Sequence, residues 1–386
     1  MTPLLIHKVT IFSQKPASTG EAASVLISEG RIQAILPAEE ALAAAPRARV
    51  IQAEGLVLAP GLIDLQINGG FGYDFTEEPA SIWKVAEKLP QYGVTTFLPT
   101  VITSPLETIQ KALAVFQAGS PQGFWGALPL GLHLEGPFLN PARKGAHNPN
   151  YLRLPQPELV AGWSPAQGVR LVTLAPELPG GTETIRALRA QGVVVSAGHS
   201  MATFDQALAA FEAGVSYGTH LFNAMPPLEH RSPNLAGALL TTPGLAVGLI
   251  VDGVHAHPAI TRLVWKMKGA GEITLVTDAM AALGMEDGLY RLGGFDITVH
   301  QGAARLPNGV LAGSIVQPDE EIRNLMAMTG CSLGEALPTF TSTPARVLGL
   351  TDRGRIEVGC VADLVLFTPD GHVHNTLIQG KMYRDG

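Results

Sequence analysis

Cysteine is almost missing from this chain of 386 residues. Only Cys331 and Cys360 occur, at no spacing that suits a metal site, and they suggest no disulfide framework. The expected setting is therefore the cytoplasm. Charge is also scarce, at 15% of residues, with a net charge of −7 and no block of one sign. Nucleic-acid binders normally carry a basic stripe. Its absence argues against that class and leaves any anionic ligand to a few local cations. Long apolar runs are lacking too, since none approaches the ~20 residues that cross a bilayer. The opening stretch MTPLLIHKVTIF sets His7 and Lys8 where the apolar core of a leader would have to be. Neither a signal peptide nor a membrane partner is expected.

Apolar and turn-forming residues are abundant. The chain is 46% hydrophobic, with Gly 43 and Pro 29, which means much buried material cut by many tight turns. Its length suits one large domain beside a smaller one. Residues 1–58 read as short Val/Ile-rich strands broken at Gly and Pro, and the stretch from GRIEVGCVADLVLF to the end has the same texture. The economical arrangement folds both ends, 1–58 and 354–386, into one small β-sandwich beside a central domain of residues 59–353.

That central region is periodic. Apolar runs occur at GLIDLQI, VTTFLPT, PLGLHLE, VRLVTLAPE, VVVSAGH, SYGTHLF, AVGLIVDGVH and ITLVTDA. Between most of them lie helical patterns, among them ASIWKVAEKLPQYG, PLETIQKALAVFQAG, GTETIRALRAQG, TFDQALAAFEAG and AITRLVWKMKGAG. Several end at Gly, a usual helix stop. Strands apolar on both sides that alternate with helices imply a parallel sheet, and eight units fit a (β/α)8 TIM barrel. A doubly wound sheet is the alternative architecture.

The ends of the runs carry the chemistry: Gln66 and Asn68, Thr100, Glu135, Glu177, His199, His220, His255 and Asp278. In a barrel these ends converge on one face, where the active site lies. Glu135, His199 and His220 end three different strands, and one carboxylate with two imidazoles suits a catalytic zinc-like ion. A lone histidine at a strand end usually just satisfies a loop, but three groups at matching ends argue for a metal. Asp278 is placed to take a proton from a water that a metal activates; capping of the next helix is the other role open to it. His133 shares a face with Glu135 and reads as a barrel-interior residue. His147 in KGAHNPN, Arg231 beyond His220, and His255 in VDGVH suit a phosphate or carboxylate. LAGS, residues 311–314, is a turn at which backbone can approach a ligand.

PGLID, GLHLEGPF, KGAHNPN, SAGHS, THLFNAMPP, VDGVH, VTDAM, LAGS and TSTPAR, with GRIEVGCVADLVLF, together resemble the amidohydrolase superfamily. HLEGPF and HLFNAMPP narrow the likeness to the N-acetylglucosamine-6-phosphate deacetylases. The resemblance implies hydrolysis of the acetamide of a phosphorylated N-acetyl amino sugar, in a metal-bearing barrel that forms a homodimer. It makes Glu135, His199 and His220 the metal ligands and Asp278 the acid/base. It places substrate contacts on Ala146, His147, Asn223, Ala224, Arg231, Asp252, Gly253, Val254 and His255, and on Leu311, Ala312 and Gly313. Most superfamily members carry His-x-His at the end of the first strand, for one metal of a pair. Here Gln66-x-Asn68 stands in that place, and carboxamides are poor ligands for a zinc-like ion. The fourth run ends at Glu177, without the lysine that bridges two metals in several relatives. One divalent ion is expected, zinc first, with iron, cobalt or manganese able to substitute. Gln66 and Asn68 are expected to orient solvent or loops, and a weaker second ion beside them is left open. The galacto epimer, another cyclic amide, and a non-catalytic barrel scaffold are the alternatives to the gluco substrate.

Overall fold

The computed structural model describes residues 2–12 and 22–384. Residues 1, 13–21 and 385–386 of the expected sandwich segments lie outside that range.

The apolar runs of the central region become parallel strands: Leu62–Ile67, Val94–Ile102, Leu132–Glu135, Val169–Leu174, Val194–Ala197, Tyr217–Gly218, Ala246–Leu249 and Ile273–Leu275. Each pairs in parallel with the next in chain order. A parallel bridge between Ile67 and Ala279 joins the eighth to the first, giving the eight-stranded barrel. The first two strands are buried at every residue, as strands packed on both faces must be. Helices cover the outside. Phe204–Ala213 shows how the sequence sets their limits. Thr203 and Gln206 form a reciprocal capping box at its start, Ala207, Ala210 and Ala213 face inward, and Gly214 ends it. The stretch ASIWKVAEKLPQYG departs from the expected helix. It forms short turns, Ile82–Ala86 and then Leu89–Tyr92, because Pro90 has no N–H to continue an α-helical ladder.

The two ends of the chain meet. Leu4–Ile11 pairs with Ala23–Ser28, Arg49–Gln52 and Val57–Pro60. Val57–Pro60 in turn pairs antiparallel with Leu364–Phe367, which continues to Val373–Ile378. Ile6, Val25, Leu58, Leu364 and Leu366 share one buried cluster. The N-terminal segment is not all strand. AEEALAA forms the helix Ala38–Ala44, as a run of strong helix formers should. A second departure is a three-stranded antiparallel sheet, Gly288–Leu292, Phe295–His300 and Ala303–Arg305, inserted after the eighth barrel strand.

The closing seam of the barrel is thin in ladder bonds and is reinforced by a buried acid. Asp64 Oδ2 accepts from the Thr277 hydroxyl at 2.7 Å and from the Thr277 amide at 3.3 Å, while Oδ1 accepts from the Gln66 amide at 3.0 Å. Burial outweighs these bonds and pushes Asp64 up to about 7. Between pH 4 and 7 the folded protein therefore holds a proton that the unfolded chain releases, and stability from this group is lost as pH rises through that window. Asp64→Asn removes the titration. The melting temperature of the variant relative to the parent should rise steadily from pH 4 to pH 7.5 in thermal unfolding; a constant difference contradicts the assignment.

Candidate active site

Glu135, His199 and His220 stand at the ends of the third, fifth and sixth barrel strands, all buried. His220 Nε2 lies 2.9 Å from Glu135 Oε1, His199 Nε2 lies 3.1 Å from the same oxygen, and the two Nε2 atoms are 3.0 Å apart. Bonds of about 2.0–2.1 Å to a tetrahedral ion put neighbouring ligand atoms roughly 3.3 Å apart, so the spacing fits a single cation. The tautomer fits as well. His199 Nδ1 is 2.9 Å from the carbonyl of Arg143, which fixes the proton there and leaves Nε2 bare. This is the one Glu/His cluster of metal-binding type among the described residues. Against the pull of burial, the two imidazoles hold the Glu135 carboxyl well below its ordinary value.

The backbone is turned to bring these groups inward. His199, His220 and Asp278 have φ of 49°, 27° and 48°, left-handed conformations that non-glycine residues adopt at a cost. Glu135 is followed instead by Gly136 at φ 93°; a Cβ there would meet Thr103 Oγ1 at 2.2 Å.

Asp278 faces the cluster from the eighth strand. Gln66 Nε2 donates to Asp278 Oδ1 at 3.0 Å and to Glu135 Oε1 at 3.1 Å, and Asn68 Nδ2 donates to Asp278 Oδ1 at 2.7 Å. The carboxamides thus hold the two carboxylates. A buried anion needs such donors. Burial, with the nearby Glu135 charge, pushes Asp278 up to about 6. Asp278 caps no helix: its carbonyl accepts from Ser314 N at 2.9 Å, tying the LAGS turn beside it.

His147 presents a donor. Its Nδ1 accepts from Thr103 N at 3.2 Å, so Nε2 carries the hydrogen; Nε2 lies 3.7 Å from Glu135 Oε2. Burial and the His199 ring push His147 down to about 3, which keeps it neutral.

Glu135, His147, His199, His220 and Asp278 line a cavity of about 580 Å³ together with Asn68, Ala146, Asn223, Ala224, His255, Leu311 and Gly313, and Gln66 lies behind it. Asp252, Gly253, Val254, Ala312 and Arg231 do not line it. Asp252 accepts from the amides of Val254 and His255 and from His255 Nδ1, the last at 2.6 Å, and so fixes the imidazole that does. Ala312 is buried behind the turn, and Arg231 is exposed. Glu177 is also elsewhere: it staples a loop, accepting from Asn140, Ser200 and Met201. Sequence reasoning missed Arg143, Lys144, Arg305 and Asn308, which line the cavity. Lys144 opens the quoted KGAHNPN motif and Arg143 directly precedes it, and this pair of charges was the available signal. Arg305 and Asn308 come with the inserted sheet, and nothing in the eight-unit pattern marks them.

His133 lies in the barrel interior between Thr100 Oγ1 at 3.3 Å and Thr173 Oγ1 at 2.8 Å, and burial pushes it down to about 4. Removing it takes one partner from each hydroxyl, which keep the Leu98 carbonyl and Thr219 Oγ1 respectively, and empties a buried space. His133→Ala should cost about 1–3 kcal/mol of stability in urea unfolding without changing metal content; loss of metal would make it part of the centre.

The amidohydrolase family model matches residues 57–383. N-acetylglucosamine-6-phosphate deacetylase from Bos taurus is 40% identical over 346 residues, covering 85% of this chain and 83% of that protein. The crystal structure of N-acetylglucosamine-6-phosphate deacetylase from Pasteurella multocida superimposes with a TM-score of 0.91 at 34% identity, covering 98% of this chain and 99% of that one. A point mutant of the Mycobacterium smegmatis deacetylase in complex with N-acetyl-D-glucosamine-6-phosphate gives a TM-score of 0.88 at 33% identity, with 100% of both chains covered. The chain belongs to the amidohydrolase family, within its N-acetylglucosamine-6-phosphate deacetylase branch.

Proposed function

We propose that this protein hydrolyses the acetamide of N-acetyl-D-glucosamine 6-phosphate to D-glucosamine 6-phosphate and acetate. The observation that carries this reading is the placement of Asp278 against the Glu135–His199–His220 cluster in one buried cavity, on a chain whose relatives bear that name. The cluster suits one divalent ion, zinc first, with iron, cobalt or manganese as substitutes. When bound, such an ion supplies a Lewis acid and lowers the pKa of water toward ~7.

The residues of the chain divide the remaining work. Asp278, held by two carboxamides, takes the proton of the attacking water and returns it to the departing sugar nitrogen. The His147 Nε2–H donates to the carbonyl oxygen as negative charge develops there. Arg143, Lys144 and Arg305 line the cavity beside His255 and give the phosphate a cationic lining in a chain that is acidic overall. Asn223, Ala224 and the LAGS turn meet the sugar. Arg231, exposed and away from its own cavity, suits a contribution to a second copy in a homodimer. Free Cys331 and Cys360 suit the cytoplasm.

With divalent metal supplied, free amine should be released rapidly from N-acetylglucosamine 6-phosphate and far more slowly from the unphosphorylated sugar at equal concentration. Equal rates would remove the phosphate grip, and no release from either would overturn the substrate. Asp278→Asn should keep the parent's metal content, measured by elemental analysis, and lose turnover by roughly 10²–10⁴-fold. Near-parental turnover would refute the role of Asp278.

A further inference from the structure

Asn68 carries an oxygen that nothing in the chain uses. Its Nδ2 donates to the Asp278 carboxylate at 2.7 Å and to the Asp278 carbonyl at 3.2 Å. Two acceptors on that side fix the amide orientation, with nitrogen toward Asp278 and Oδ1 turned away. That Oδ1 is buried, on a residue only 2% exposed, and has no donor. Of the residues lining the cavity, only Asn68 and His220 carry such an atom among the described residues. The His220 atom is Nδ1, which carries the hydrogen when Nε2 serves as a ligand. Asn68 Oδ1 is therefore a buried acceptor without a donor, on a residue that lines the cavity. A buried carbonyl oxygen of this kind is costly unless a ligand supplies its hydrogen bond.

The chemistry of the substrate supplies that donor. A secondary amide is trans, so its N–H and C=O point in opposite directions. With the carbonyl oxygen toward the His147 N–H and the Glu135 cluster, the amide N–H points the other way. The nitrogen must also lie within reach of Asp278 to be protonated as it leaves. Asn68 is the neighbour of Asp278 that offers a free acceptor. Building on the proposed deacetylation, we propose that Asn68 Oδ1 accepts the amide N–H of the substrate and is the residue that selects amides over esters. As the nitrogen becomes tetrahedral, an N–H held by Asn68 leaves the new lone pair facing Asp278, the geometry protonation needs. An ester has no such hydrogen and leaves Oδ1 unpaired. Sites built to bond a substrate hydrogen discriminate strongly against analogues that lack it.

The test compares kcat/KM for N-acetylglucosamine 6-phosphate with that for 2-O-acetylglucose 6-phosphate, which has oxygen in place of nitrogen. Parent, Asn68→Ala and Gln66→Ala are measured alongside metal content and melting temperature. Both substitutions remove a donor from Asp278, so both slow each substrate. Asn68→Ala should lower the amide-to-ester ratio by about tenfold or more, whereas Gln66→Ala should leave it within about threefold. If Asn68→Ala fails to fold, the near-isosteric Asn68→Leu is measured in its place, with the same drop expected. An unmoved ratio in a folded Asn68 variant overturns the inference while the deacetylase reading stands. A fall in metal content on losing Asn68 also overturns it, since the oxygen would then serve a cation. A parent enzyme that hydrolyses neither compound overturns the substrate reading and this inference with it.

Discussion

Two carboxylates are buried within reach of one amide nitrogen, and the rest of the site follows from how their repulsion is managed. Gln66 Nε2 lies 3.1 Å from Glu135 and 3.0 Å from Asp278. Like charges this close and this dry cannot both stay ionised without compensation. Glu135 is compensated by two imidazoles, an arrangement completed by a cation. Asp278 is compensated by neutral donors, and burial with the nearby Glu135 charge pushes its pKa up to about 6. Imidazoles in place of the carboxamides would turn lone pairs toward the same space and call for a second cation. Gln66 and Asn68 supply donors without adding charge.

The same residues connect the chemistry to the fold. Gln66 and Asn68 end the first barrel strand and Asp278 follows the eighth, so their hydrogen bonds run across the closing seam. The backbone bonds Asp278 N to Gln66 O and Asn68 N to Ala279 O, at 2.9 and 2.7 Å, lie in the same place. Closing the barrel and positioning Asp278 are one structural event.

Much of this was legible in the chain. Apolar runs spaced by helical patterns gave the eight units, and polar residues at their ends marked the face that now holds Glu135, His199, His220 and Asp278. The shared face of Gln66 and Asn68 followed from the two-residue repeat of a strand. Other features had no such signal. The left-handed turns at His199, His220 and Asp278 depend on tertiary packing, not on local preference. Glu177 occupies an equivalent strand end yet serves a loop, because its neighbours Asn140 and Ser200 come from elsewhere in the chain. The inserted sheet from Gly288 to Arg305 has ordinary alternation and no mark of its contribution to the cavity. Asn68 Oδ1 shows its lack of a donor only once every neighbour is placed.

The pairing of Val57–Pro60 with Leu364–Phe367 also has a consequence in time. During synthesis the first strand of that pair emerges long before the second. At 5–20 residues per second the delay is roughly 15–60 s. One edge of Val57–Pro60 can meet Leu4–Ile11 at once, but the other stays open for the whole manufacture of the barrel, and an open edge templates pairing with other chains. The strand is only four residues long and ends in proline, a short edge that offers little to a stray partner. The sheet that joins the two ends is thus started before the barrel strands are made and completed after them, so its last pairing clasps a chain whose barrel strands have all been synthesised.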